Sequence, residues 1–507
     1  MTLPELERQV RRDLEDLTLP RANWPCARPG PDGRPMHDVV VVGAGHCGLL
    51  AGAALLFKGI RNIEILDQAA QGREGIWSNS ARMPTLRSPK TLPGMTLGLP
   101  NLTFRRWYEA AFGSLAWEAL GRFPTDAWQS YMTWFRQVLR LPVTNEVVVQ
   151  AVLPADGCLT LLTSRGPMHA RRVVWATGGT NSLDTAVLPD GIARELWPDL
   201  AAHSCEDIDF VRLAGRRVAV LGGGASAFDN ACTAIEHGAA RVDLHVRDGH
   251  LCQVNRYLPY LTTCGISDGW TGLPDADRWA MAVLVYRDSR NPPTLDSVQR
   301  LMAHANVHLH LGSPVLAASL DGDGIALCIG SAPERNERAD FLIVATGFRS
   351  ELARLPELRG LLPHAALWRD RYTPPPELAM PELGNQAYLD VGLALTERVP
   401  GSCPALRRLH IFTRAGEVSA GSMVSNIANA NVGAERIAVG ITHALAAEDV
   451  VHLRATITGF ERPEFEGTPF YAPERVPFAA NAASVVSASA ISTSAAASVN
   501  GPAHSTS

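Results

Sequence analysis

Closely spaced cysteine pairs are missing from this 507-residue chain, whose nine cysteines are scattered without a Cys-x-x-Cys or Cys-x4-Cys spacing. That argues against a redox-active dithiol. No Cys/His group has zinc spacing either, so the thiols read as buried and free and no metal is expected. Long apolar runs are missing too: no stretch of about 18 uncharged apolar residues occurs, so no membrane-spanning helix is expected. The N-terminal segment MTLPELERQVRRDLEDLTLP lacks the apolar core of a signal peptide, and a cytoplasmic location is expected. It reads as a charged amphipathic helix, with Leu6, Val10, Leu14 and Leu17 near helical spacing. Charge of one sign is not in excess: a net charge of −5 gives no reason to expect nucleic acid or a membrane as partner.

What is present is an ordinary globular composition, 46% hydrophobic and 19% charged, over a length that suits roughly two to four domains. The segment HDVVVVGAGHCGLLAGAALLFKGIRNIEILDQ reads as strand, glycine turn, helix and strand. A second unit of the same kind, RRVAVLGGGASAFDNACTAIEHGAARVDLHVRDG, begins at Arg216. Two apolar strands ending in Ala-Thr-Gly, VVWATGG and FLIVATGF, flank this second unit. The repeat suggests two crossings between domains, with the second unit inserted into the first. The expected fold class is α/β, with two Rossmann-like dinucleotide-binding domains. The expected divisions are an N-terminal helix and lead-in (1–35), a first domain in two parts (36–200 and 336–460), an inserted domain (201–335), and a C-terminal extension (461–507). The last of these ends in a disordered, Ala/Ser-rich tail. Helices are expected around 103–113, 125–140 and 294–305.

The first unit carries G-x-G-x-x-G as Gly43, Gly45 and Gly48. These glycines permit a tight turn, close approach of a pyrophosphate, and close helix–strand packing. Asp67 ends the next strand, nineteen residues after Gly48, where a carboxylate accepts hydrogen bonds from ribose hydroxyls. The second unit carries Gly222, Gly224 and Ala227, with Ser226 in the same turn, but its next strand ends in Arg247. A forked cation there suits a 2′-phosphate and favours NADPH over NADH. One nucleotide site would serve a simple dehydrogenase; two describe a flavoprotein in which NADPH delivers hydride to FAD.

This order of parts resembles the class B flavin-dependent monooxygenases, which include Baeyer–Villiger enzymes, flavin-containing monooxygenases and microbial N-hydroxylases of ornithine and lysine. Gly75-Ile76-Trp77 matches the group's Gly-x-Trp after the first unit. His203-Ser204 resembles a His-Ser element, although Trp197, Asp199 and Asp207 depart from the residues around it. Asp340 with FLIVATGF resembles an N-hydroxylase motif containing Thr346 and Gly347, with Val344 and Phe348 as departures. SAGSMVSNIA resembles a C-terminal N-hydroxylase segment containing Ser425, and LCQVNRYLPY a stretch in which an asparagine, here Asn255, contacts substrate.

The resemblance implies a flavin hydroperoxide formed from O2, which transfers one oxygen atom to a small nucleophilic substrate, most simply an amine or amino acid. S-oxygenation and Baeyer–Villiger oxidation use the same chemistry and stay open. So do an NADPH-dependent reductase of a quinone or protein partner and a non-enzymatic nucleotide-binding scaffold. Lys90 and Arg87, in a Pro/Gly-rich loop with Arg82, are the candidate catalytic cations, Lys90 first by the resemblance. Trp77 is a candidate flavin contact, and the segment from Ser419 is expected to begin a helix facing the flavin. Trp107, Tyr108, Trp117, Trp128, Tyr131 and Trp134 read as helix core.

Overall fold

A computed structural model describes residues 1–178, 186–288, 292–330, 335–424, 426–462 and 464. Residues 1–450 form one unit and 451–507 a second, whose described part is mainly the helix Val450–Thr458. Most of the 461–507 extension therefore lies outside the described residues, as does Ser425. Among the described residues no helix is long and apolar enough to cross a membrane.

The architecture is mixed α/β and rests on two larger sheets, the first mixed and the second parallel. Strand β1 (His37–Val42) holds the centre of the first, because its valine run is buried on both faces. It pairs in parallel with β2 (Ile63–Leu66) on one side. A short two-stranded ribbon of β3 (Thr85–Pro89) and β4 (Arg122–Pro124) follows, outside this sheet. The sheet then adds β5 (Val143–Thr144) beside β2, and the meander β6 (Val149–Ala155), β7 (Cys158–Thr163) and β8 (Gly166–Trp175) on the other side of β1. Ten residues let β8 serve three partners. Its first half pairs antiparallel with β7, and Val173–Trp175 pair in parallel with both β1 and the late strand β17 (Leu409–Ile411).

The second sheet is parallel throughout, in the order β12-β11-β10-β16-β9. Its strands are β9 (Ala201–His203), β10 (Arg217–Leu221), β11 (Arg241–Val246), β12 (Val307–Leu311) and β16 (Phe341–Val344). A three-stranded antiparallel sheet of β13 (Val315–Asp321), β14 (Gly324–Ile329) and β15 (Arg335–Ala339) lies between β12 and β16 in sequence. All these strands fall between β8 and β17, so the second sheet is an excursion from the first. The expected return at 336 falls too early: β15 pairs with β14, and β16 sits between β10 and β9. FLIVATGF closes the second sheet instead of reopening the first.

The N-terminal helix Leu3–Asp16 buries Leu6 and Val10, and Thr2 and Glu5 form a capping box at its start. The helices Phe104–Phe112, Ser114–Ala119 and Thr125–Val138 deliver the aromatic cluster to the first core, where Trp107, Trp117, Trp128, Tyr131 and Trp134 are buried. Leu295–Met302 accounts for the helix expected around 294–305.

Candidate active site

The two glycine turns are built alike. Gly43 has φ +102°, and a Cβ there would lie 2.6 Å from the carbonyl oxygen of Ala176. Gly222 has φ +141°, and its Cβ would lie 2.4 Å from the carbonyl oxygen of Ala345. The N–H of Ala176 donates to Val42 at 2.8 Å, and that of Ala345 to Leu221 at 2.8 Å. Each Ala-Thr-Gly strand end thus backs one glycine turn, which accounts for the repeat in the sequence and for the lack of space at both glycines.

In the first turn a Cβ at Gly48 would strike the carbonyl oxygen of Gly43 at 1.7 Å, whereas Gly45 faces only the Cα of Gly75, at 3.7 Å. The helix His46–Phe57 opens from Gly45 with no side chain capping it, so its first N–H groups are available to an anion. Asp67 lies against the turn: its two oxygens accept the N–H groups of Ala44 (2.7 Å) and Ala69 (2.8 Å). Burial raises its carboxyl pKa, and those two bonds work the other way. Each oxygen keeps a lone pair for a ribose hydroxyl. The cradle therefore fits a dinucleotide such as FAD.

Sequence reasoning missed the support beneath it. Glu74 is buried and receives Arg136 at 2.6 Å and Asn145 at 2.8 Å, holding the chain just before Gly75. Trp77 is partly buried against this core and meets Trp128 edge-on at 6.5 Å.

The second turn opens the helix Ala225–Glu236 from Gly224, again without a side-chain cap. Ala227 is buried and Ser226 exposed. Arg247 follows β11 with its side chain 70% exposed, and its Nε lies 3.8 Å from Asp248 Oδ1. Thr346 Oγ1 donates to the carbonyl of Val187, and Gly347 takes φ +96° to turn the chain away after β16. Asp340 is structural: its carboxylate accepts the N–H of Arg217 at 2.7 Å, holding the start of β10.

The candidate catalytic residues do not converge. Lys90 Nζ donates to the carbonyls of Trp117 and Glu118, both at 3.2 Å, and lies 5.4 Å from the centre of the Trp117 ring. Arg87 reaches Asp229 on the second glycine helix at 3.3 Å, joining the ribbon to the inserted segment. Asn255 is exposed, and its side chain accepts the N–H of Tyr257, starting the helix Tyr257–Thr262. His203 is buried, and that burial lowers its pKa to about 4. The segment from Ser419 forms short helical turns, Glu417–Ala420 and Gly421–Val424, and the long helix starts only at Ala430. Asn429 interrupts the path by donating to Leu261 O and Ser422 Oγ.

One functional-looking cluster had no clear signal in the sequence. Glu417 is 1% exposed and accepts the hydroxyls of Tyr257 and Tyr286, each at 2.5 Å, and Arg414 Nε at 3.1 Å. It clamps the C-terminal turns to helices of the inserted segment.

All nine cysteines are free. Burial pushes the Cys47 thiol up to about 12, and its Sγ lies 3.3 Å from His46 Nε2. A thiol so protonated is a poor redox nucleophile.

Comparison with known proteins gives the following. Residues 40–260 match the pyridine nucleotide-disulphide oxidoreductase family. The chain is 36% identical over 470 residues to the FAD-dependent urate hydroxylase of Xanthomonas campestris pv. campestris, covering 92% of this chain and 98% of that one. Among solved structures, an ornithine hydroxylase from Pseudomonas aeruginosa superposes with TM-score 0.64 at 16% identity, over 81% of this chain and 100% of the other. L-lysine 6-monooxygenase from Pseudomonas syringae gives 0.62 at 18%, over 80% and 99%. A flavin-containing monooxygenase from Stenotrophomonas maltophilia gives 0.51 at 22%, over 80% and 98%. At these identities the structural likeness is one of fold.

Proposed function

Because this chain belongs to the same family as a FAD-dependent urate hydroxylase, we propose that it is a class B flavin-dependent monooxygenase that hydroxylates urate or a closely similar oxopurine, using FAD, NADPH and O2. The end-to-end likeness at 36% identity supports this choice of substrate. The expectation of an amine or amino acid leaned on segments shared with N-hydroxylases, and those proteins share only the fold at 16–18% identity.

In this reading the two sheets are the two Rossmann-like domains. The first turn, through Gly43, Gly45, Gly48 and the uncapped helix start, holds the FAD pyrophosphate, and Asp67 holds the adenine-side ribose. The second turn, through Gly222, Gly224, Ser226 and Ala227, holds NADPH, with Arg247 on its 2′-phosphate. Bound FAD supplies the electron transfer and the oxygen chemistry, and the residues here supply position and a dry, neutral setting.

Lys90 and Arg87 are already paired with protein groups, so they position the loop before the aromatic helices instead of meeting substrate. Asn255 has a partly uncommitted amide, which can both donate to and accept from the lactam edges of an oxopurine. His203, neutral through burial, adds no stray proton donor at neutral pH. One oxygen atom goes to the product and the other to water, with NADPH giving the two electrons.

The test is NADPH and oxygen consumption by the FAD-loaded protein with urate, ornithine or lysine. Consumption stimulated by urate, matched by urate loss, is expected. Stimulation by the amines alone would replace urate hydroxylation with N-oxygenation. Free peroxide unaffected by any of them would leave no monooxygenase turnover of these compounds.

A further inference from the structure

A polar strip runs across the second sheet on the face opposite the second glycine helix. In β11, Val242, Leu244 and Val246 pack into the core formed with the second glycine helix. The alternate residues Asp243 and His245 therefore point the opposite way. The register sets His245 beside His310 of β12, their rings stacked 4.9 Å apart at 12°. Glu337 reaches the same place from β15.

We propose that His245, His310 and Glu337 form a binding site for a transition-metal ion of the zinc class. One ligand atom from each residue lies within 4.8 Å of the other two. His245 is 2% exposed; its Nδ1 is taken by Ser313 Oγ at 3.0 Å, and its Nε2 has no hydrogen-bond partner. That nitrogen faces Glu337 Oε2 at 3.6 Å, too far for a hydrogen bond. It is close to the separation of about 3.3–3.6 Å that two ligands at ordinary zinc distances subtend. The other oxygen, Oε1, is held by Arg335 Nε at 3.0 Å, so the carboxylate is oriented with one oxygen committed and one turned to the site.

His310 Nε2 contacts Asp243 Oδ1 at 2.8 Å, the carboxylate–histidine pairing that orients ligands in metal centres. Asp243 is itself fixed by Arg241 at 2.6 and 2.7 Å. Two imidazoles and one carboxylate suit zinc, cobalt or nickel, with a water completing the shell. Arg335 and Arg241 oppose a cation, but both are already neutralised by Glu337 and Asp243. The ion would clamp the parallel sheet to the antiparallel one, because its ligands come from β11, β12 and β15.

This inference is independent of the urate reading. The FAD-bound protein, made without a histidine tag, is stripped with chelator, incubated with zinc sulfate, desalted and assayed for metal by mass spectrometry. A stoichiometric zinc ion is expected in the native sequence. Glu337→Gln and His310→Asn, both on partly exposed residues, are expected to lose it while keeping normal flavin content. Asp243→Asn is expected to weaken zinc binding about tenfold or more, as for other residues that orient a ligand. Failure of the native protein to retain zinc would overturn the site. So would retention of zinc by the Glu337→Gln and His310→Asn variants at the native level.

Discussion

An alanine at Gly48 would put its Cβ 1.7 Å from the carbonyl oxygen of Gly43, a backbone atom that cannot swing aside. Overpacking of this kind costs about 1–3 kcal/mol, so Gly48→Ala is expected to weaken FAD binding about tenfold or more. Flavin titration checks it, and unchanged affinity would detach the turn from the cofactor. At Arg247 the expected loss is a charged hydrogen bond worth about 1.5–3 kcal/mol, so Arg247→Ala lowers kcat/KM for NADPH about 10- to 100-fold and leaves NADH unchanged. Equal effects on both nucleotides would remove Arg247 from the 2′-phosphate. The glycines and Arg247 were legible in the sequence because backbone space and strand-end position are local properties. Lys90 was not legible, because the carbonyls of Trp117 and Glu118 that occupy it are set by a helix folding back on the loop. The Glu417 cluster was hidden for the same reason: its tyrosines come from distant helices of the inserted segment.

At the scale of elements, β8 joins the first sheet to the C-terminal end of the long helix Ala430–Glu448. Arg171 in β8 is 1% exposed and holds Asp38 at 3.2 Å, Asp449 at 2.8 and 2.9 Å, and Glu448 at 2.9 Å. Burial raises the Asp449 pKa, but the bonds from Arg171, the Cys26 N–H and Arg28 outweigh it and leave the carboxyl below its usual range. Removing the shared cation strands buried carboxylates, so Arg171→Ala is expected to cost about 3–5 kcal/mol in urea unfolding. A loss below about 1 kcal/mol, the level of a surface ion pair, would contradict that role. The β-α-β units and the strand ends were readable as elements, since apolar runs, glycine turns and helical periodicity are written consecutively. The return point near 336 was misread because strand partnership is not: FLIVATGF has the pattern of a buried parallel strand in either sheet, and only pairing with β10 and β9 assigns it to the second.

Across the whole molecule, His203 and His410 are buried and neutral, their pKa values lowered to about 4 by burial. In the unfolded chain both return to about 6.5. Between those values the unfolded state binds more protons, so stability rises with pH and is lost as pH falls from about 6.5 towards 4. The urea midpoint is expected to be lower at pH 5 than at pH 7.5, and an equal or higher midpoint at pH 5 would contradict the burial of these rings. The central claim also belongs to this scale, because it needs both sheets, both turns and the substrate together. The most direct measurement is turnover of urate by the FAD-loaded protein with NADPH under oxygen-18 gas, with the product analysed by mass spectrometry. The account predicts one labelled oxygen in the hydroxylated purine, matched by NADPH oxidation. Urate that survives unlabelled while NADPH is consumed and peroxide accumulates would contradict it.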